Sequence, residues 1–254
     1  MVKWGVRLAS TRVRYSAARA SEVRSAGTGE AMDRILRGAD GWQEAIADAL
    51  QRATRPIAPD PRFAPRDATG FANLDRYDRS GLPLPRPAAT LLLVYPDPDG
   101  ELKVPLTVRH ADLREHAGEV SLPGGTVDAA DASHEATALR EAWEEVGVDP
   151  AAVRIAGVLD DIWIPVSNFE LRPFVGTAAS RPAMTPHTDE VAEIVEVPLR
   201  HLVADDSVSE ELIEGPGWIL RAAVYRWEGH RIWGATARTL AMFASVLREA
   251  DTPR

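Results

Sequence analysis

"GGTVDAADASHEATALREAWEEVGV", residues 124–148, decides how the rest of the chain is read. Ser133, or Asp131 just before it, can cap a helix, and Gly147 can end one in the left-handed conformation. The spacing therefore predicts a helix from about 133 to 146. At about 100° per residue, Glu141, Glu144 and Glu145 share an arc of about 100°. Leu139, Trp143 and Val146 fall on the opposite side, which reads as the buried face. Like charges at helical spacing cost about 0.2–0.5 kcal/mol per pair, so a face this acidic needs an offset. A solvated surface is one answer. Arg140 offers part of another, because it precedes Glu144 by four residues and can pair with it. A hard divalent cation offers the rest. A Gly124–Gly125 turn and the acid Asp131 precede the helix, and oxygen ligands from a loop and one helix face suit Mg²⁺ or Mn²⁺.

The chain around this stretch has 254 residues, 45% hydrophobic and 26% charged. That suits one soluble globular domain with an appendage, or two small ones. No apolar run reaches the ~18 residues of a membrane span. Cysteine is absent, which excludes disulfide and thiolate chemistry and is compatible with a reducing cytosol, so a cytoplasmic location is expected. The net charge of −9 understates the acidity of the body. Lys3, Arg7, Arg12, Arg14, Arg19 and Arg24 face only Glu22 and Glu30 within residues 1–30, which leaves −13 for the remainder. Such a surface is a poor match for nucleic acid. It can still hold a phosphorylated small molecule through bridging cations.

Three segments follow from the patterning. Residues 1–30 lack an apolar signal region and read as a disordered tail, or as the product of a start placed too early, with Met32 the true start. Residues 31–86 contain an amphipathic helix at 41–53, with Trp42, Ile46, Ala49 and Leu50 on one face, and then a loop-rich stretch whose prolines suggest a wrapping path. Residues 87–250 form the compact domain. It opens with the apolar run 87–96, a buried strand. A DPDG turn follows, with 102–109 expected as the hairpin partner. Further strands are expected at 152–160, 170–177, 191–197, 219–226 and 231–233. A closing helix at 236–250 turns Leu240, Phe243, Val246 and Leu247 inward. Interspersed strands and helices predict an α/β sandwich with a mixed sheet.

Gly125, Arg140, Glu141, Glu144, Glu145, Gly147 and Val148 together resemble the box of the Nudix hydrolase superfamily. That box runs Gly, five residues, Glu, seven residues, then Arg-Glu-aliphatic-x-Glu-Glu-x-Gly-aliphatic. Here Asp131 takes the place of the first Glu, eight residues separate it from Arg140, and Ala142 fills the aliphatic position. The resemblance implies a Nudix-type α/β/α sandwich. It also implies attack of water on a pyrophosphate phosphorus with the help of Mg²⁺ or Mn²⁺. Glu141, Glu145 and Glu144 would be the metal ligands, with the Gly125 carbonyl completing the set and Arg140 orienting a carboxylate. The general base stays open between Glu144 and Glu190, the acid of "PHTDE".

Residues 106–125, "LTVRHADLREHAGEVSLPGG", resemble the added signature of the coenzyme A pyrophosphatase branch at Thr107, Arg109, Gly118, Pro123, Gly124 and Gly125. Leu122 replaces the usual Phe, and Glu119 stands where Gln is expected. The implied reaction cleaves coenzyme A to 3′,5′-ADP and 4′-phosphopantetheine. Hydrolysis of another nucleoside diphosphate compound such as ADP-ribose is the alternative, and a non-catalytic binding module a third. Arg109 and Arg114 are the expected phosphate-binding guanidinium groups, with Gly124 beside them. His110 and His116 read as solvent-facing or structural, and Trp233 as core. The expected partner is the small-molecule substrate alone, with no nucleic acid and no membrane; a homodimer is allowed for.

Overall fold

The computed structural model describes residues 30–58, 60–64, 66–70, 79, 81–111, 118–186, 189–215 and 218–250. The expected tail lies outside them except for Glu30. In chain order the elements are α1 (Glu30–Leu36), α2 (Trp42–Arg52), β1 (Arg66–Asp67), β2 (Arg86–Pro96) and β3 (Leu102–Arg109). The short strands β4 (Val120–Ser121) and β5 (Gly124–Thr126) lead into α3 (His134–Val146). Then come β6 (Arg154–Val158), β7 (Ile162–Ile164), β8 (Phe169–Thr177), β9 (Val191–Pro198) and α4 (Leu199–Val203). The chain closes with β10 (Val208–Gly215), β11 (Trp218–Trp227), β12 (His230–Ile232) and α5 (Gly234–Glu249).

Strand β2 organises the molecule because it is buried on both faces, as a near-continuous apolar run demands. Alternate residues point to opposite sides. Ala89, Leu91, Leu93 and Tyr95 pack on Ala138, Ala142 and Val146 of α3. Leu92 and Val94 belong to the larger core, with Ile46 and Leu50 of α2 and Leu240, Phe243 and Leu247 of α5. Each such side chain contributes about 1.5–3 kcal/mol on full burial. The result is a mixed sheet with α3 on one side and α2 and α5 on the other, the α/β/α sandwich expected. The helices of 31–86 share this larger core, with Met32, Ile35 and Trp42 among its members.

The eight-stranded sheet pairs β2 in parallel with β8, from Arg86↔Phe169 to Val94↔Thr177. On its other edge β2 takes β5, antiparallel. The expected β2–β3 hairpin is present but short. The two strands pair antiparallel at Tyr95↔Lys103 and Pro96↔Leu102, because β5 and β8 take up most of the backbone of β2. The rest of β3 pairs with β9 and β4. A second antiparallel sheet holds β1, β10, β11 and β12. Phe63, in the proline-rich segment, stacks on Tyr225 of β11 with ring centroids 5.2 Å apart.

The Gly124–Gly125 turn is corrected as well. Both residues lie in β5, and the reason they are glycines is space. A Cβ on Gly124 would stand 2.5 Å from the Ala89 carbonyl oxygen. Trp143, expected on the buried face of α3, is 53% exposed; the small Ala138 and Ala142 line that face against β2 instead.

Candidate active site

Helix α3 is fixed at both ends. Ser133 caps it, its hydroxyl accepting from the Ala136 amide at 3.1 Å, and Gly147 closes it at φ 73°. With Ala138, Ala142 and Val146 pressed onto β2, the glutamate face turns toward β5 and the start of β9.

The first part of the site is a clamp. Arg140 places Nε 2.9 Å and Nη2 3.0 Å from the two carboxylate oxygens of Asp131. Its Nη1 reaches Glu144 at 2.8 Å and Glu141 at 2.9 Å, and Nη2 donates to the Thr126 carbonyl at 3.2 Å. Asp131 also accepts from the Thr137 hydroxyl at 2.8 Å and the Asp128 amide at 2.9 Å. The Arg140 guanidinium, aided by these donors, holds the Asp131 carboxyl far below the usual carboxylate range. The Asp131 side chain is only 6% exposed and its oxygens are taken. It is thus corrected from a loop metal ligand to the anchor of Arg140, the side chain that orients two glutamates.

The second part is the opposite in character. A Cβ on Gly125 would meet Glu141 Oε1 at 2.5 Å, so glycine there lets the strand backbone close on the carboxylate. Glu145 accepts a backbone hydrogen bond from Gly124. Its Oε2 is buried and has no hydrogen-bond partner. Burial, reinforced by the charge of Glu141, pushes Glu145 up to about 8; the Gly124 amide and Arg109 offset this in part, and Glu190 adds to it. Burial also raises Glu141, against the pull of Arg140. A buried carboxylate oxygen without a donor is costly and is what a hard cation relieves. Among the described residues no three His, Asp or Glu side chains converge as a finished cage. The donor set of Glu141, Glu145 and backbone oxygen at Gly125 fits an ion that keeps several waters, as Mg²⁺ does.

Arg109 stands at the end of β3, its Nη2 3.3 Å from Glu190 Oε2 and its Nε buried without a partner. The backbone of β3 also holds Glu190 in place, since the His110 amide donates to the Glu190 carbonyl at 2.9 Å. His110 itself is half-buried. Arg114 and His116 lie outside the described residues. Arg109, Glu119, Gly124 and Gly125 line one end of a cleft of about 420 Å³ that continues between β8 and the start of α5. Leu122, in the Phe position of the signature, is 6% exposed and part of the larger core while edging the cleft. Trp233, expected in the core, is half-buried and forms cleft wall. Arg86, Val166 and Phe169 also line it. No sequence pattern singled these three out, because the turn before β8 and the first residue of β2 meet only through strand pairing.

The NUDIX domain family matches residues 84–214. The uncharacterized Nudix hydrolase NudL of Pectobacterium atrosepticum is 38% identical over 194 residues, covering 73% of this chain and 98% of that protein. The chloroplastic Nudix hydrolase 22 of Arabidopsis thaliana is 35% identical over 171 residues, 64% of this chain and 56% of that protein. Among solved structures, the Nudix hydrolase RenU of M. smegmatis aligns with TM-score 0.39 and 24% identity over 46% of this chain and 72% of its own. Among the described residues no helix is long and apolar enough to cross a membrane.

Proposed function

The chain belongs to the Nudix hydrolase family, and from that premise we propose that it hydrolyses the pyrophosphate bond of coenzyme A or its derivatives, giving 3′,5′-ADP and 4′-phosphopantetheine. The chain is a pyrophosphohydrolase acting on a nucleoside diphosphate type of substrate; coenzyme A is the finer reading. The observation that carries the chemistry is the buried, unpartnered Oε2 of Glu145, on a side chain that accepts from the backbone of Gly124, which lines the cleft together with Gly125 and Arg109. From the stretch that resembles the coenzyme A signature, Arg109, Glu119, Leu122, Gly124 and Gly125 line the cleft.

Glu141 and Glu145 would hold Mg²⁺ or Mn²⁺, with the Gly125 carbonyl and Glu144 contributing. What the ion supplies when bound is neutralisation of diphosphate charge and a more acidic bound water. Arg140 keeps Glu141 and Glu144 in fixed orientation, and Asp131 keeps Arg140. Arg109 offers its guanidinium to the diphosphate oxygens. Gly124, which lines the cleft, would contribute through its backbone. Glu190 and Glu144 are the two candidate bases: Glu190 lies close enough to Glu145 to raise its pKa and is paired with Arg109, and Glu144 is paired with Arg140.

A substrate panel with Mg²⁺ and with Mn²⁺, read by product identity, tests this. Coenzyme A is expected to be cleaved fastest, with 3′,5′-ADP as product. Faster cleavage of ADP-ribose would move the assignment to that substrate. No turnover of any diphosphate would make the chain a binding module.

A further inference from the structure

We propose that Arg86 receives a second anionic group of the substrate, a phosphomonoester separate from the scissile diphosphate, and so sets which nucleoside diphosphate compounds this cleft prefers. The inference rests on the coenzyme A reading above and sharpens it, because the 3′-phosphate of coenzyme A is such a group and dephospho-coenzyme A and ADP-ribose lack one.

Among the described residues two arginines line the cleft, and they differ in what already occupies them. Arg109 has Glu190 beside it at 3.3 Å. Arg86 has no carboxylate within ion-pair distance among the described residues. Its guanidinium carbon lies 4.0 Å from the centroid of the Phe169 ring, and Nη2 donates to the Ser167 carbonyl at 3.3 Å. The stack and the single hydrogen bond fix the plane of the guanidinium without neutralising it. An exposed arginine in a chain of net charge −9 has many carboxylates to choose from. One held over an aromatic face at the edge of a cleft, with most of its donors unused, is organised for an anion that arrives from outside.

The position along the sheet suits a second group and not the first. Gly124 stands opposite Thr90 in the β2–β5 ladder, and Arg86 lies four residues before Thr90. At about 3.3 Å per residue this is roughly 13 Å along the strand. The metal-site end, with Gly124, Gly125 and Arg109, is thus separated from Arg86 by the reach of an arginine side chain plus about the span of one ribose, the unit that carries both the 5′-diphosphate and the 3′-phosphate of coenzyme A. Between them the cleft is walled by Ala88, Leu171 and Trp233, surfaces for an uncharged part of the ligand. A compound with one charge cluster would use one end. A compound with a diphosphate and a distant phosphate would use both.

The test compares wild type, Arg86→Ala and Arg86→Lys by steady-state kinetics on coenzyme A and dephospho-coenzyme A, and by calorimetric binding of 3′,5′-ADP and 5′-AMP. Arg86→Ala should raise KM for coenzyme A on the order of 10- to 100-fold with kcat little changed, and leave dephospho-coenzyme A nearly unaffected. Wild type should bind 3′,5′-ADP more tightly than 5′-AMP, and Arg86→Ala should erase the difference. Arg86→Lys should recover part of it, since charge returns without the planar fork. Equal losses on both substrates would assign Arg86 a structural or diphosphate role and overturn the proposal. So would wild type that does not distinguish the two nucleotides. Wild type that cleaves coenzyme A well while Arg86→Ala changes nothing overturns this inference alone; wild type that prefers ADP-ribose overturns the substrate reading beneath it.

Discussion

Asp131 and Glu145 are both carboxylates within reach of the same helix, and the fold treats them in opposite ways. Asp131 accepts from Arg140 twice, from Thr137 and from a backbone amide, and is held far below its ordinary pKa. Glu145 has a backbone donor for one oxygen and none for the other, and is pushed up to about 8. The first arrangement is complete and stabilises. The second is unfinished and is strained until something cationic arrives. The difference teaches how this site is built: a satisfied clamp holds an unsatisfied pair of ligands in place. Loss of the clamp should therefore harm both fold and activity, and loss of the unsatisfied group activity alone.

The strongest way to break the comparison is Glu145→Gln. Turnover should fall on the order of 10²- to 10⁴-fold, the several kcal/mol that a metal supplies at a developing charge. Stability of the metal-free chain should move the other way. A group whose native pKa is raised stabilises the fold fully only below its unfolded pKa of about 4.3. That contribution is lost as pH rises toward the native value of about 8. Wild type without metal should thus lose melting temperature between those pH values relative to Glu145→Gln, and the two should coincide near pH 4. A variant that melts lower than wild type at pH 8 would show that Glu145 is a structural residue.

Arg109→Ala comes next. A hydrogen bond to a charged group is worth about 1.5–3 kcal/mol, so kcat/KM should fall roughly 10- to 150-fold. Because Arg109 lies at the metal-site end of the cleft, coenzyme A and dephospho-coenzyme A should lose equally, unlike the selective loss expected for Arg86. A loss confined to coenzyme A would exchange the roles of the two arginines.

Arg140→Ala tests the clamp. Activity should drop about 10- to 100-fold, as when the partner that orients a metal ligand is removed. Melting temperature should drop too, because Asp131 is left almost fully buried without its cation. Lost activity at unchanged stability would erase the distinction between the two halves of the site.

Much of this was legible in the sequence because it is local. The helix, its Ser133 and Gly147 ends and the shared face of Glu141, Glu144 and Glu145 all follow from spacing within one element. The two-sided burial of β2 follows from an unbroken apolar run. What stayed hidden is what depends on pairing across the chain. Gly124 and Gly125 read as a turn because their closeness to Ala89 and Glu141 is invisible until β5 docks on β2. Asp131 read as a ligand because its spacing to Arg140, one residue longer than usual, does not say which way the loop turns. Trp143 sits on the apolar side of a helical wheel, yet the close packing of Ala138 and Ala142 on β2 leaves it outside. Arg86 meets Phe169 only through a parallel strand pair more than eighty residues apart in sequence.

The smallest effect, and the one that isolates the anchor from the clamp it serves, belongs to Asp131→Asn. The amide keeps the shape and still accepts through its oxygen, but it gives up the charge that faces Arg140. One charge-assisted bond becomes ordinary and the second oxygen becomes a donor facing donors, so stability near neutral pH should fall by about 1–3 kcal/mol. Turnover should fall less than for Arg140→Ala, since Arg140 still has Glu141 and Glu144 to hold. The pH dependence carries the sharper signal. A depressed carboxylate contributes stability that is present above its unfolded pKa of about 3.9 and is lost as pH falls toward the lower native value. Wild type should therefore lose its advantage over Asp131→Asn as pH drops below about 4, while above pH 5 the gap stays constant. Glu145→Gln shows a gap of opposite sign, with metal-free wild type falling below the variant as pH rises from about 4 toward 8. Thermal melts of both variants from pH 3 to 8 read the two carboxylates in one experiment. Gaps of the same sign relative to wild type would mean that one environment, and not two, governs the site.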